Sequence, residues 1–469
     1  MTATANTAPL GERVATEVRE LLRLGGPLLA NNLAIAGMAF ADTVMAGRLG
    51  ARDLAAVAVG SSFWLLALLL GLGTLMGLNP ITAHFVGANT PRKVGPYFRQ
   101  GLWLSQALAL LLIVALWPVE PLMRLAGVDA SIISLTTGYV HAIALGLPGG
   151  LAYLTLRFVN EGIGRTRPIM YCALAGLAIN IALNYVLMFG KLGFPRFGAI
   201  GCGIASAIAL WCMLAIMLCY VRRSDAYRDY ALFERWERPD WGLQRELLGV
   251  GFPIGAALVV EEGLFAFVGV LMGTLGAAVV AAHQVAINYA STAFMVPLAI
   301  HSATIIRVSQ AMGAGKYDEV RLRGFTGIAL CGTIMLCSAI ALLLFSQSIV
   351  GFYTSDPAVR DVAVSLLFIA AIFQVSDGLS LGGAGALRGL KDTRVPMYFC
   401  IVAYWIIGLP LSWWLGIGLG LGPRWVWVGF VAGLTTAALL LNARFIYMTR
   451  PERVRPLGMQ TTISTLPGG

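Results

Sequence analysis

Charged residues are scarce in this sequence. Only 12% of its 469 residues are charged, whereas soluble globular proteins have roughly 25%. Hydrophobic residues make up 58% of the chain, and no water-soluble fold of this length hides that much apolar side chain. The composition therefore predicts an all-α integral membrane protein that crosses the bilayer many times.

Several catalytic and binding signatures are also missing. The sequence has no H-E-x-x-H motif and no G-x-x-x-x-G-K-[ST] phosphate loop, which argues against a zinc peptidase and against direct use of ATP. Gly378–Gly382 formally matches G-x-S-x-G, but a nucleophile elbow needs a strand before it, and this match lies in an apolar span. The net charge of +10 comes without basic patches interleaved with aromatic residues, so we predict neither an enzyme nor a nucleic-acid-binding protein.

The cysteines also lack the pattern of a metal or disulfide site. The seven cysteines lie in apolar segments and form no C-x-x-C pair. They are typical of small core residues rather than of disulfides or metal ligands. We expect no cofactor.

Apolar stretches long enough to span a bilayer recur about twelve times. One long charged connection divides them into two groups of six, and Lys and Arg are concentrated in alternate connections. By the positive-inside rule, both termini and the long connection lie in the cytoplasm. We predict a tail at 1–20, a six-helix bundle at 21–221, a loop at 222–246, a second bundle at 247–448 and a tail at 449–469.

The two halves repeat each other at an offset of about 226 residues. Gly25-Gly26-Pro27 corresponds to Gly251-Phe252-Pro253, and Gly162 corresponds to Gly389 one residue further on. Since each half has six spans, both enter the membrane from the same side. We expect them to be related by a pseudo-two-fold axis along the membrane normal, as in transporters built from parallel repeats.

Three acidic residues lie within apolar spans: Asp42, Glu261 and Asp377. A carboxylate in hydrocarbon costs several kcal/mol unless it faces protein or water, and such residues usually mark ion or substrate pathways. The repeat aligns these acids with apolar or small residues, namely Val268, Ile35 and Gly150. The acids are therefore not part of the duplicated scaffold, which favours a functional role in ion coupling.

Other polar residues accompany the acids. Asn180 and Asn184 are four residues apart and share one helix face, as do Cys202 and Ser206. With Asp42, they either form an oxygen-rich pocket in the first half or only tie helices together.

The second half leaves two choices open. Glu261 and Glu262 point about 100° apart on a helix, so only one faces a given interior direction. His283, next to Gln284, is either a hydrogen-bonded packing residue or a proton carrier, and the first is the commoner case.

Four stretches resemble the NorM-type branch of the multidrug and toxic compound extrusion (MATE) family. They are 41–58, 253–261, 281–285 and 385–392. The resemblance covers nearly the whole chain. It implies twelve helices in two bundles, an outward-facing V and cation-driven drug antiport.

The resemblance also implies roles for individual residues. Asp42 matches the acid of the first bundle, with Asn180 and Asn184 as its polar partners. Glu261, rather than Glu262, matches the cation ligand of the second bundle, with Asp377 as its partner. Phe373 and Cys202 stand at or near positions where an oxygen ligand is expected for sodium, so Na⁺ and H⁺ both remain open as the coupling ion.

These observations predict a secondary antiporter of the cytoplasmic membrane. It exports amphiphilic, mostly cationic drugs in exchange for inward Na⁺ or H⁺ by alternating access, as a monomer. The coupling ion is held at Asp42, Asn180 and Asn184 or at Glu261 and Asp377. Further contributors are Glu262, His283, Ser206 and Gln284. The alternative is a flippase for a lipid-linked precursor on a similar frame, which predicts a cleft rich in Arg or Lys.

Overall fold

The computed structural model describes residues 9–354 and 356–454, and every regular element in this part of the chain is helical. The first half contains α1 (Leu10–Leu49), α2 (Ala51–Leu75), α3 (Leu78–Gly87), α4 (Val94–Leu116), α5 (Val119–Leu125), α6 (Ala130–Ala144), α7 (Leu147–Ile163), α8 (Arg167–Phe189) and α9 (Ala199–Arg223). The second half contains α10 (Trp241–Gly273), α11 (Ala277–Gly313), α12 (Tyr317–Tyr353), α13 (Pro357–Gly389), α14 (Arg394–Ile401), α15 (Leu409–Trp413) and α16 (Pro423–Met448). Two π-helical segments, Val402–Gly408 and Trp414–Gly418, flank α15.

The number of membrane spans agrees with the sequence prediction. Eleven helical stretches among the described residues are long and apolar enough to cross a bilayer, and a twelfth is obtained if the bent pair α6 and α7 is one span. That pair bends by 45° just before Pro148 in the first turn of α7, where a proline has no N–H to donate to the preceding turn. The chain is therefore an all-helical polytopic membrane protein.

The described residues form two compact units. Within the described residues, unit 1 comprises 9–26, Val86–Asn89, 256–354 and 356–454, and unit 2 comprises Pro27–Phe85 and Thr90–Gly255. These units differ from the predicted bundles because α1 and α10 are each divided, at Gly26/Pro27 and Gly255/Ala256. The limits 21–221 and 247–448 stay a prediction for the two bundles.

Contacts at two glycines show which unit the first part of α1 and the first part of α10 pack in. In unit 1, a β-carbon added to Gly25 would lie 3.0 Å from Ile300 Cδ1 of α11. In unit 2, a β-carbon added to Gly251 would overlap the backbone carbonyl of Thr74 in α2. Gly25 and Gly251 are repeat-related, and so are Ile300 and Thr74. Each glycine therefore packs against the corresponding residue of the opposite half, Gly25 against the side chain of Ile300 and Gly251 against the backbone of Thr74.

The charged connection between the halves is a fixed part of unit 2. Arg99 of α4 is buried and donates to the carbonyl of Ala231 at 2.7 Å and to Glu237 Oε1 at 2.8 Å. Trp103 donates to the Glu237 carbonyl at 2.9 Å, and its ring packs against Trp236. Because buried donors on α4 hold this segment, it is a strap rather than a loose linker. We call residues 224–240 the strap.

Candidate functional site

Asp42 lies in a polar pocket of unit 2 formed by α1, α8 and α9. Its Oδ1 accepts from Asn184 Nδ2 at 2.5 Å, and its Oδ2 accepts from Ser206 Oγ at 3.3 Å. Asn180 links the two donors, because its Nδ2 donates to Ser206 Oγ at 3.1 Å and its Oδ1 accepts from Asn184 Nδ2 at 3.2 Å. The i, i+4 spacing on α8 places both amides on the face towards Asp42, and Cys202 on α9 also faces the carboxylate.

The pocket has one unused oxygen. Asn184 is completely buried, and its Oδ1 has no hydrogen-bond partner among the described residues. A buried polar atom without a partner is rare in a native fold and often indicates an absent water or ion. Carboxylate and amide oxygens are suitable ligands for a small hard cation, so these residues fit a monovalent cation or a proton on Asp42.

The acids of the second half lie in unit 1. Asp377 of α13 is buried, Glu261 of α10 is partly buried, and the two interact electrostatically. Glu262 is exposed on the neighbouring face of α10. Of the two adjacent glutamates, Glu261 is therefore the one that the fold places near Asp377.

These acids form no ion pair in the part of the chain that the structure describes. Among the described residues, no Lys, Arg or His nitrogen lies within 4.0 Å of the carboxylates of Asp42, Glu261, Glu262 or Asp377. Arg388 interacts with Glu261 electrostatically but donates to His301 Nε2 at 3.1 Å. Since His301 Nδ1 donates to the Leu381 carbonyl, Nε2 is an acceptor and the imidazole is neutral.

Other buried acids of the described chain do have basic partners. Arg157 and Glu161 form an ion pair at 2.8 Å on α7, which Asn79 joins by donating to Glu161 at 2.9 Å. In unit 1, Glu17 accepts a two-pronged pair of hydrogen bonds from Arg307 at 2.7 and 2.6 Å. An unpaired intramembrane carboxylate is therefore a distinguishing property of the candidate site, not of every acid in the fold.

The remaining predicted residues are not brought to the acids. His283 is buried and its Nδ1 accepts from Trp427 Nε1 at 3.2 Å, with the two rings edge to face. This is the geometry of a packing residue. Gln284 is exposed on the adjacent face of α11.

Sequence reasoning missed three buried polar residues near the acids. Tyr139 of α6 bonds to Ser61 at 3.1 Å and interacts electrostatically with Asp42. Tyr404, in the π-helical segment, interacts with both Glu261 and Asp377. Gln374 lies one turn before Asp377, is completely buried, and neither of its amide atoms has a partner among the described residues. Their sequence surroundings are apolar, and only the orphaned amide of Gln374 distinguishes it once the fold is known.

Comparison with known proteins shows the family. The MatE family model matches the chain twice, at residues 27–186 and 253–414. The chain belongs to the MatE family. The two matches begin at residues related by the same offset of about 226 that relates the sequence repeats. This MatE protein is thus a membrane transporter and not an enzyme.

Curated relatives are similar over nearly the whole chain. It is 40% identical over 445 residues to the multidrug resistance protein PmpM of Pseudomonas aeruginosa, covering 94% of this chain and 93% of the relative. It is 41% identical over 436 residues to the probable multidrug resistance protein NorM of Xanthomonas axonopodis, covering 93% and 95%. The predicted family, and its NorM-type branch, are confirmed.

Solved structures confirm the fold. The crystal structure of the eukaryotic MATE transporter AtDTX14 superposes with a TM-score of 0.86 at 20% identity, covering 97% of this chain and 100% of that one. The Vibrio cholerae MATE transporter VcmN in the bent form gives a TM-score of 0.83 at 17% identity, covering 95% and 99%. The MatE fold therefore extends over nearly the whole of this chain.

Proposed function

We propose that this MatE transporter exports amphiphilic, mostly cationic drugs in exchange for inward Na⁺ or H⁺. The observation that carries the proposal is a set of intramembrane carboxylates that form no ion pair within 4.0 Å among the described residues, Asp42 in unit 2 and Glu261 and Asp377 in unit 1. The relatives named as multidrug resistance proteins support drugs as the cargo.

The two units offer different ion sites. In unit 2, Asp42 holds the ion, Asn180 and Asn184 fix the carboxylate, and the free Asn184 Oδ1 supplies a further oxygen. In unit 1, Glu261 and Asp377 share the ion, because two neighbouring carboxylates repel each other unless a cation or proton lies with them. Ser206 assists in unit 2 through its bond to Asp42.

Exchange follows from competition for negative charge. A carboxylate that holds a sodium ion or a proton is neutralised and binds a cationic drug weakly, so ion binding on one side of the membrane releases the drug there. An inward monovalent cation gains about 2.3 kcal/mol per 100 mV of membrane potential. Alternating access then needs only that the two cargoes favour different states of the same protein.

A lipid-linked precursor is less well supported as cargo. A flippase needs unpaired basic groups within the spans to hold a pyrophosphate. Of the arginines in the described spans, Arg157 is neutralised by Glu161 and Arg307 by Glu17. Arg388 donates to His301 and interacts electrostatically with Glu261, so it is a single cation beside an acid rather than a cluster of basic groups.

The chain is proposed to act as a monomer in the cytoplasmic membrane with both termini in the cytoplasm. The basic residues in alternate connections support this orientation. Fusion of a reporter that is active only in the cytoplasm to each terminus tests it, and activity at both ends is expected.

Dye efflux from proteoliposomes tests the proposed exchange. Vesicles loaded with ethidium are given an imposed sodium gradient or an imposed proton gradient, with gradient-free vesicles and protein-free vesicles as controls. Faster efflux under one of the two gradients is expected, and it identifies the coupling ion. An efflux rate that is the same with either gradient as without a gradient would refute antiport.

A further inference from the structure

A cluster of arginines lies where the last span leaves the membrane. Helix α16 ends at Met448, and one further turn follows to Val454. The Tyr447 ring at this end is approached by Arg444 at 5.6 Å, by Arg450 at 5.7 Å and by Arg453 at 4.0 Å from the guanidinium carbon to the ring centroid. Three cations thus converge on one aromatic side chain.

Only one of the three arginines has its charge neutralised. Arg444 Nε donates to Asp392 Oδ2 at 2.9 Å. Arg450 and Arg453 are exposed, and within the described residues neither has a carboxylate within 4.0 Å. Glu452, between them in the sequence, is exposed and forms no ion pair with either arginine among the described residues. Two guanidinium groups on the same ring repel each other, so an anion between them would stabilise the arrangement.

The Asp392–Arg444 pair brings a second basic segment to the same place. It fixes the connection between α13 and α14, which carries the exposed Arg394, beside the end of α16. The site is therefore basic on both sides of Tyr447. Clusters of four or more Lys and Arg directly beside a membrane span are typical of binding to anionic lipid headgroups.

We propose that the Tyr447 cluster binds the phosphate of an anionic phospholipid. The guanidinium groups of Arg450 and Arg453 hold the phosphate oxygens by paired hydrogen bonds, a geometry that arginine provides and lysine does not. Tyr447 orients both arginines through its ring face, and a tyrosine at this depth is suited to the boundary between acyl chains and headgroups. The cluster shares no residue with the proposed ion sites.

Lipid binding to the full-length protein tests this proposal. Native mass spectrometry of the purified transporter measures the apparent Kd for phosphatidylglycerol and for phosphatidylcholine. We expect wild type to prefer phosphatidylglycerol and Arg453→Gln to weaken its binding about fivefold, the effect of one basic residue at a membrane surface. Arg424→Gln is the matched control, because Arg424 is exposed at the opposite end of the same helix, and it should leave the Kd unchanged.

Further variants separate the ring from the charge. Tyr447→Phe keeps the aromatic face and should keep the lipid, whereas Tyr447→Leu should weaken binding. Arg453→Lys should recover only part of the affinity, because it restores the charge without the guanidinium fork. Equal losses in Arg453→Gln and Arg424→Gln would overturn the proposal.

A competition experiment identifies the source of the phosphate. Inorganic phosphate at millimolar concentration should not displace phosphatidylglycerol, since the acyl chains hold the lipid at the boundary; complete displacement would assign the site to a soluble phosphate instead. If Arg453→Gln does not fold, a salt titration of wild type decides. The preference for phosphatidylglycerol should fall as salt screens the arginines, and a preference that salt does not change would overturn the proposal.

Discussion

At the scale of single residues, the central feature is a carboxylate that receives hydrogen bonds but no counter-charge. Asn184 and Ser206 both donate to Asp42, so they stabilise its charged form without neutralising it. A hydrogen bond to a charged group contributes about 1.5–3 kcal/mol, which keeps the side chain oriented while leaving its charge available. The pocket thus holds the carboxyl group in place for the cation or proton that it binds.

Asp42→Asn should remove transport without unfolding the protein. The substitution keeps the size of the side chain and one acceptor oxygen, replaces the other oxygen with an NH2 donor, and removes the charge that the ion and the drug compete for. We expect ethidium efflux to fall to the level of protein-free vesicles while expression and the melting temperature stay near wild type. Efflux at the wild-type rate would remove Asp42 from the mechanism.

The adjacent glutamates of α10 form a natural pair of variants. Glu261→Gln should abolish efflux, because it removes one of the two acids that share an ion with Asp377. Glu262→Gln makes the same chemical change on the exposed face of the helix and should retain most of the activity. Efflux assays on both variants check this, and the reverse order would move the ion site to Glu262.

Single-residue prediction from the sequence worked where the signal is local. The i, i+4 spacing of Asn180 and Asn184 placed both amides on one face, and both are found beside Asp42; their role in coupling stays a prediction. Tyr404 could not be found in this way, because its proximity to Asp377 depends on a π-helical segment. Gln374 is one turn before Asp377 on α13, but its burial without a hydrogen-bond partner is visible only in the fold. Neither feature changes the hydrophobic periodicity.

At the scale of helices, repeat-related glycines set how closely α1 and α10 approach their neighbours. The sequence shows that Gly25 and Gly251 correspond, but not that each packs against the other half. That exchange depends on long-range contacts with Ile300 and Thr74. The bend between α6 and α7 was also missed, since the apolar run continues through it.

Gly251→Ala should destabilise the protein. The added methyl group would overlap the Thr74 carbonyl, and a backbone atom cannot rotate away, so overpacking of about 1–3 kcal/mol outweighs the helix propensity of about 1 kcal/mol that alanine gains. The control is Gly273→Ala in the same helix, where nothing lies within 4 Å of the added carbon. Thermal unfolding should show a lower melting temperature for the first variant only, and equal temperatures would refute the close contact.

The strap should loosen in acid. Burial by itself raises the pKa of Glu237, but hydrogen bonds from Arg99 and Arg235 outweigh it and hold the pKa below the ordinary value of 4.5. The ionised Glu237 therefore stabilises the strap fully at a pH above the ordinary value of 4.5. This stabilisation is lost as the pH falls through the lowered pKa, where Glu237 becomes protonated.

Hydrogen exchange of residues 231–240 measures this loosening. Protection should persist at neutral pH and decline below pH 4.5. Glu237→Gln should reproduce the acid state at neutral pH, because it removes the charge that Arg99 holds. Protection that neither acid nor the variant changes would contradict this role for Glu237.

At the scale of the whole molecule, composition and repetition were enough to predict the class of protein. The scarcity of charge predicted many spans, and the offset of about 226 residues reappears in the two matches to the MatE family model. What the sequence could not give is which acids have partners. Glu17 and Glu161 are paired with arginines from 290 and 4 residues away, whereas Asp42 is not, and this difference arises only in the folded chain.

Competition between ion and drug on the purified transporter tests the central claim most directly. The affinity for ethidium is measured by fluorescence in wild type and in Asp42→Asn, first against rising sodium at constant ionic strength and then against falling pH. The account predicts that one of the two ions weakens ethidium binding to wild type and that Asp42→Asn loses this dependence. An ethidium affinity for wild type that neither sodium nor protons change would contradict it.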